Sequence, residues 1–100
     1  MNAEIVAGRY RFAVNVLPKD GILDPQGRAV EQSLPHLGLA GIGQVRVGRR
    51  VELAVDAPDA AAARGRVDRL ARELLCNPMI EQYAIEELGA ISAARSEAGG

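Results

Sequence analysis

Apolar residues recur at every second position along two stretches of the chain, and those stretches predict its first strands. From Arg9 to Leu17, Tyr10, Phe12, Val14 and Val16 alternate with Arg9, Arg11, Ala13 and Asn15, as in a strand with one buried face. From Gln44 to Asp56, Val45, Val47, Val51, Leu53 and Val55 alternate with Arg46, Arg50, Glu52 and Ala54, and Gly48 and Arg49 lie in the middle. A two-residue hairpin at Gly48-Arg49 would pair Val47 with Arg50 and Val45 with Glu52, so the apolar sets would oppose each other. A three-residue loop would align the faces, but it wants its glycine last. Odd-numbered parity runs unbroken through Gly48. The pattern therefore favours one long strand, kinked or bulged at the glycine, of roughly 40 Å at about 3.3 Å per residue. A chain of 100 residues is too small to cover it, and its far half is expected to pair with another chain.

Between the two strands, Pro18-Lys19-Asp20-Gly21 reads as a turn. Asp24-Pro25 reads as a helix start, with the Asp24 carboxylate accepting a free backbone N–H and Pro25 at the first helical position. Val30, Leu34 and Leu37 follow at helical spacing, and Gly38 fits the residue after the end. Pro35 is anomalous, because inside a helix it removes a hydrogen bond and crowds the Glu31 carbonyl at a cost of about 3 kcal/mol. The last turn is expected to bend or end early. Pro58 is expected to open a second helix through about Leu75, with Ala63, Val67, Leu70, Ala71 and Leu74 on its apolar stripe, and Asn77-Pro78 stops it. Met79 to Leu88 holds a last strand with Tyr83 and Ile85 toward the core.

The order is β-α-β-α-β if the middle strand is continuous and ferredoxin-like β-α-β-β-α-β if Gly48 turns the chain. Both are α+β, with two helices on one face of a mainly antiparallel sheet that extends across a dimer. Residues 1–8 are expected to form a flexible arm, 9–88 a single domain and 89–100 a disordered tail.

Composition narrows the function classes. The chain has 12 Lys and Arg against 13 Asp and Glu, with a pI near 5.8, so its charge announces no nucleic acid and no membrane surface. The single cysteine, Cys76, excludes an internal disulfide and suits a reducing compartment. No apolar run approaches the roughly 20 residues of a bilayer span, and a cytoplasmic protein is expected. One Phe, two Tyr and no Trp leave the core to Val, Leu, Ile and Ala.

Little in the sequence points to catalysis. His36, the only histidine, stands beside Pro35 without a Cys, Ser or Asp pattern to orient its ring, and Cys76 has no basic or histidine neighbour in the sequence to activate it as a nucleophile. Neither zinc nor calcium spacing nor a phosphate-loop fingerprint is present. Glu81, Glu86 and Glu87 read as solvated strand edges rather than as a carboxylate cluster. Arg46, Arg49, Arg50, Arg64, Arg66, Arg69 and Arg72 could bind phosphate or an acidic partner if the polar side of the sheet and the second helix meet at one surface. An RNA-recognition domain would need stacking aromatics where this chain has Arg50-Val51-Glu52-Leu53-Ala54-Val55.

Three segments carry a resemblance. Gly21-Ile22-Leu23-Asp24-Pro25-Gln26-Gly27 with Ala29-Val30-Glu31, then Val45-Arg46-Val47-Gly48-Arg49, and finally Leu74-Leu75-Cys76-Asn77-Pro78-Met79-Ile80-Glu81-Gln82-Tyr83 stand in the order found in the PurS family. The chain resembles that family over roughly Arg9 to Glu87, with Pro35 and the tail after Leu88 as departures. PurS is the small subunit of phosphoribosylformylglycinamidine synthase, an amidotransferase of purine biosynthesis.

The resemblance implies a role without an active site or a cofactor of its own, in a ligase complex that uses ATP and Mg2+. In that family a large synthetase subunit (PurL-type) and a glutaminase subunit (PurQ-type) are brought together by a PurS homodimer, or tetramer, that supports ammonia transfer. The long strand, through Val45, Arg46, Val47, Gly48, Arg49, Val51 and Leu53, is the candidate dimer element. Asp24, Pro25, Gln26 and Gly27, with Asn77 and Pro78, are the candidate docking residues. A small-molecule-binding regulatory domain of ferredoxin-like architecture is the alternative.

Overall fold

The computed structural model describes residues 8–91, and the expectations for residues 1–7 and 92–100 lie outside them. Strand β1 (Gly8–Pro18) is followed by helix α1 (Pro25–Ser33), a 3-10 turn (Pro35–Leu37), β2 (Arg49–Ala57), α2 (Ala60–Leu70), a π turn (Ala71–Leu75) and β3 (Glu81–Ile91). The sheet order is β2-β1-β3 with both pairings antiparallel, so the most apolar strand is central.

Register sets the core. Tyr10 lies opposite Val55, Phe12 opposite Leu53 and Val14 opposite Val51, while Val14 and Val16 also meet Ile85 and Tyr83 on β3. The apolar alternates of all three strands thus share one face. Helix α2 and the π turn after it close that face with Ala63, Val67 and Ala71, all fully buried with Phe12, Val14 and Val16. The small side chains of α2 let the helix approach the sheet closely.

The opposite face is polar. Arg50 binds Glu52 at 2.9 Å and Glu86 at 2.8 Å and donates to Asn15 Oδ1 at 3.2 Å, a network that joins all three strands and covers the buried Ala13.

The elements depart from the sequence expectation in four places. The chain does not reverse at Gly48, so the five-element order holds, but β2 begins at Arg49 instead of Gln44. Residues 44–48 lie outside the sheet, and Gln44 takes φ 55°. The first helix does end early, as Pro35 predicts, at Ser33, and Pro35 enters a 3-10 turn that Gly38 closes at φ 71°. No α1 residue joins the core: Val30 and Leu37 are exposed, and only Leu34 of the expected stripe is buried.

The second helix starts at Ala60, capped by Asp59, whose Oδ1 accepts from Ala62 N at 2.8 Å; Pro58 precedes the cap. Its end widens, with Cys76 N donating to Ala71 O five residues back. That extra residue per turn shifts the helical phase, so Leu75 and Cys76 pack inward and Leu74 is left 74 % exposed. Strand β3 begins at Glu81 and runs past Leu88 to Ile91. An irregularity opposite Arg11 and Phe12, with Gly89 at φ 115°, lets it continue.

Candidate docking surface

Asp24 and Glu31 stand seven residues apart, two turns along one side of α1, and both carboxylates reach the 45–47 segment. Asp24 Oδ1 accepts from Gly27 N at 3.0 Å as a helix cap, and Oδ2 accepts from Val47 N at 2.9 Å. Glu31 Oε2 accepts from Val45 N at 2.8 Å. The Gly27 and Val47 amides hold the Asp24 carboxyl below its usual range. Gly27 is buried beneath the same segment, and a Cβ there would collide with the Val45 carbonyl oxygen. Asp24 and Gly27 therefore have an internal task, gripping the extended segment against α1. Pro25 and Gln26 between them are exposed.

The Asn77-Pro78 turn lies at the same end of the sheet. Lys19 N donates to Ile80 O at 2.9 Å, joining the turn after β1 to the turn before β3. Asn77 Oδ1 accepts from Met79 N at 3.1 Å, so Asn77 shapes its own turn. Glu81 fixes the corner: its carboxylate takes both Nη atoms of Arg49 at 2.9 Å and the Asn77 amide at 2.8 Å. A cleft of about 490 Å3 opens here, and Leu23, Pro25, Gln26, Val47, Gly48 and Ile80 are among its walls. The sequence-predicted docking residues are thus brought to one corner, where Leu23 and Met79 are 68 % and 80 % exposed. Periodicity placed Leu74 inside and was silent on Met79; both are exposed.

Arg49, by its two-pronged hydrogen bond, and the Asn77 amide lower the Glu81 carboxyl to about 2. A carboxylate whose pKa is depressed on folding stabilises the fold above its ordinary value and loses that contribution as pH falls through the folded value. Stability is therefore expected to decline between pH 4.5 and about 2 as Glu81 protonates. Urea unfolding at a series of pH values should show a flatter acid limb for Glu81→Gln, and identical limbs would remove Glu81 from the acid response.

The arginines do not form one phosphate-binding surface. Arg49, Arg50, Arg64, Arg69 and Arg72 each hold a carboxylate at 2.5–3.1 Å, and Arg66 donates to the Asp56 carbonyl. Glu81, Glu86 and Glu87 are consumed as their partners. His36 is exposed on the 3-10 turn and Cys76 is buried in the core. Among the described residues no group of three or more His, Cys, Asp and Glu could hold a metal ion.

Of the candidate dimer residues, Arg49, Val51 and Leu53 pair with β1, and Leu53 also packs against the core. Val45, Arg46, Val47 and Gly48 remain outside the sheet.

The chain is similar to known proteins in both sequence and fold. Residues 11–88 match the family model described as PurS, phosphoribosylformylglycinamidine (FGAM) synthase. The phosphoribosylformylglycinamidine synthase subunit PurS of Synechocystis sp. is 40 % identical over 77 residues, covering 77 % of each chain. The crystal structure of the Thermotoga maritima purS subunit superposes with a TM-score of 0.78 at 30 % identity, covering 85 % of this chain and 98 % of that one. A chain in the structure of PurLQS from the same organism gives 0.74 at 30 % identity, with 80 % and 98 % covered. Three matched segments, one sheet order and these similarities lead to a single assignment: the chain belongs to the PurS family of phosphoribosylformylglycinamidine synthase subunits.

Proposed function

We propose that this chain acts as a homodimer that docks the glutaminase subunit to the ATP-dependent synthetase subunit in the cytoplasm and supports ammonia transfer between them. As a PurS subunit of FGAM synthase it takes part in a ligase reaction without an active site of its own. The complex converts formylglycinamide ribonucleotide, ATP, glutamine and water into formylglycinamidine ribonucleotide, ADP, phosphate and glutamate, with ATP and Mg2+ used outside this chain. Ammonia released into water would be protonated and diluted, whereas a docked assembly keeps its effective concentration high at the synthetase.

The observation that carries the reading is the family match over 11–88. Two separate apolar surfaces support its finer parts. Val30, Leu37, Leu39 and Ile42 are exposed along α1 and the chain after it, next to residues 44–48, which no strand among the described residues pairs. A second copy that adds a strand along 44–48 would cover them, which favours the homodimer. At the other surface Leu23 and Ile80 line the cleft with Pro25 and Gln26, Met79 stands exposed next to Ile80 in the chain, and this is the face we assign to a partner subunit. Among the described residues no helix is long and apolar enough to cross a membrane.

Reconstituted synthetase and glutaminase subunits should need this chain for glutamine-driven amidation and not for ammonium-driven amidation. If neither rate responds with matched subunits, the coupling role is wrong.

A further inference from the structure

A second cleft, of about 890 Å3, opens between the turn after β1 and the 44–46 segment, and Lys19, Asp20, Ile22, Arg28, Gln44 and Arg46 are among the residues that line it. Its charges differ from those of the rest of the surface. The Arg46 side chain is 32 % exposed, and its Nη1 stands 3.4 Å from Asp20 Oδ1, beyond the distance of its neighbours' ion pairs. Its Nη2 is shut off from solvent and has no acceptor among the described residues. A buried guanidinium N–H without an acceptor is unfavourable, and the carboxylate that Arg46 pairs with is 95 % exposed and loses little by turning to water.

Lys19 and Arg28 line the same cleft and have no ion pair among the described residues. Asp24, on the same cleft, offsets one of the three cations, but both its oxygens are taken by the Gly27 and Val47 amides, so it gives them no direct ion pair. The wall also turns through Gln44 at φ 55°, a left-handed backbone that a non-glycine residue adopts at a cost.

We propose that this cleft binds the dianionic phosphate of a small phosphate monoester. Asp20 is then a built-in counter-ion that gives way: it turns to solvent, the Arg46 guanidinium rotates its fork into the cleft, and two parallel N–H groups meet the phosphate. Arg28 and Lys19 balance the remaining charge. With Asp20 displaced, three cations face one internally bonded carboxylate, which matches a dianion better than a monoanionic carboxylate. The exposed Ile22 and Leu23, on the same cleft, offer an apolar wall to the organic part of the ester. The site does not depend on the docking role.

The test uses the whole chain in amide-resolved NMR at constant ionic strength, titrated with ribose 5-phosphate and with inorganic phosphate as probes. Saturable shifts are expected at Lys19, Gly21, Arg28 and Gln44 to Arg46, with ribose 5-phosphate the tighter ligand. Equal affinity for the two overturns the ester assignment, and shifts that fail to saturate or that spread over the arginines of β2 and α2 overturn the site. Asp20→Asn and Arg46→Gln separate a site from a structural ion pair. Loss of the competing carboxylate should tighten phosphate about fivefold, and loss of the fork should weaken it about tenfold. A structural pair predicts that both variants weaken binding. Arg28→Gln, on an exposed helix position, gives the same sign as Arg46→Gln if the latter fails to fold. If phosphate leaves the spectrum unchanged while Arg46→Gln alters sedimentation, the cleft is a protein interface and the proposal falls.

Discussion

Phe12→Ala is expected to destabilise the chain by about 3–5 kcal/mol, the range for removing a buried phenyl ring when the cavity only partly collapses. Phe12 is 2 % exposed on the central strand, opposite Leu53, and it is the only phenylalanine in the sequence. Its buried neighbours are mostly valine and alanine: Val14, Val16, Ala57, Ala63, Val67 and Ala71. Alanines cannot extend into a void, and β-branched valines have few rotamers with which to fill it. A domain of this size has about 5–15 kcal/mol in all, so the loss would take a large share of its stability. Urea unfolding at one fixed protein concentration is the measurement, since self-association would itself raise the midpoint with concentration. A change below about 1 kcal/mol would mean that the helix settles onto the sheet and closes the space.

Much of this core was legible beforehand. Period-two alternation located β1, the second half of the middle strand and β3, because each buries one face against α2 and a pleated strand keeps its parity. The α2 stripe was legible through Val67 and Ala71. It failed at Leu74, since the π turn depends on a single hydrogen bond from Cys76 to Ala71 that leaves no compositional trace. The α1 stripe failed for another reason. Val30, Leu34 and Leu37 are amphipathic, but among the described residues little covers that face, and Val30 and Leu37 stay exposed.

The candidate site was legible as motifs and not as geometry. Asp24 was readable as a cap from the proline that follows it, whereas its second hydrogen bond, to Val47, joins residues 23 apart in sequence. Nothing in the sequence announces that Glu31 grips Val45 or that Lys19 joins the two turns at one corner. The arginines looked like a basic surface because their carboxylate partners, Glu81, Glu86 and Glu87, arrive from another strand. Arg46 stands apart from them for the same non-local reason, since only the folded chain shows its Nη2 without an acceptor.

Gly48→Ala is expected to cost about 3 kcal/mol or more, since overpacking that a side chain can relieve costs less than overpacking against backbone. Parity made Gly48 look like a kink, but its physical task is close approach. A Cβ at this position would penetrate the Val16 carbonyl oxygen and lie 2.8 Å from Leu17 Cδ2. Leu17 can rotate away, but the Val16 carbonyl cannot, because Val16 sits in the central strand between Arg49 and Tyr83. The segment carrying residue 48 must therefore move off β1, straining the bonds from Asp24 and Glu31 that hold Val47 and Val45. If residues 44–48 pair with a second copy, the same movement misplaces that edge, and Gly48→Val should weaken dimer affinity in sedimentation at concentrations where the chain remains folded. Lowered stability with unchanged dimer affinity would separate the two roles: Gly48 would serve packing within one chain, and the dimer would have to rest on the apolar face of α1.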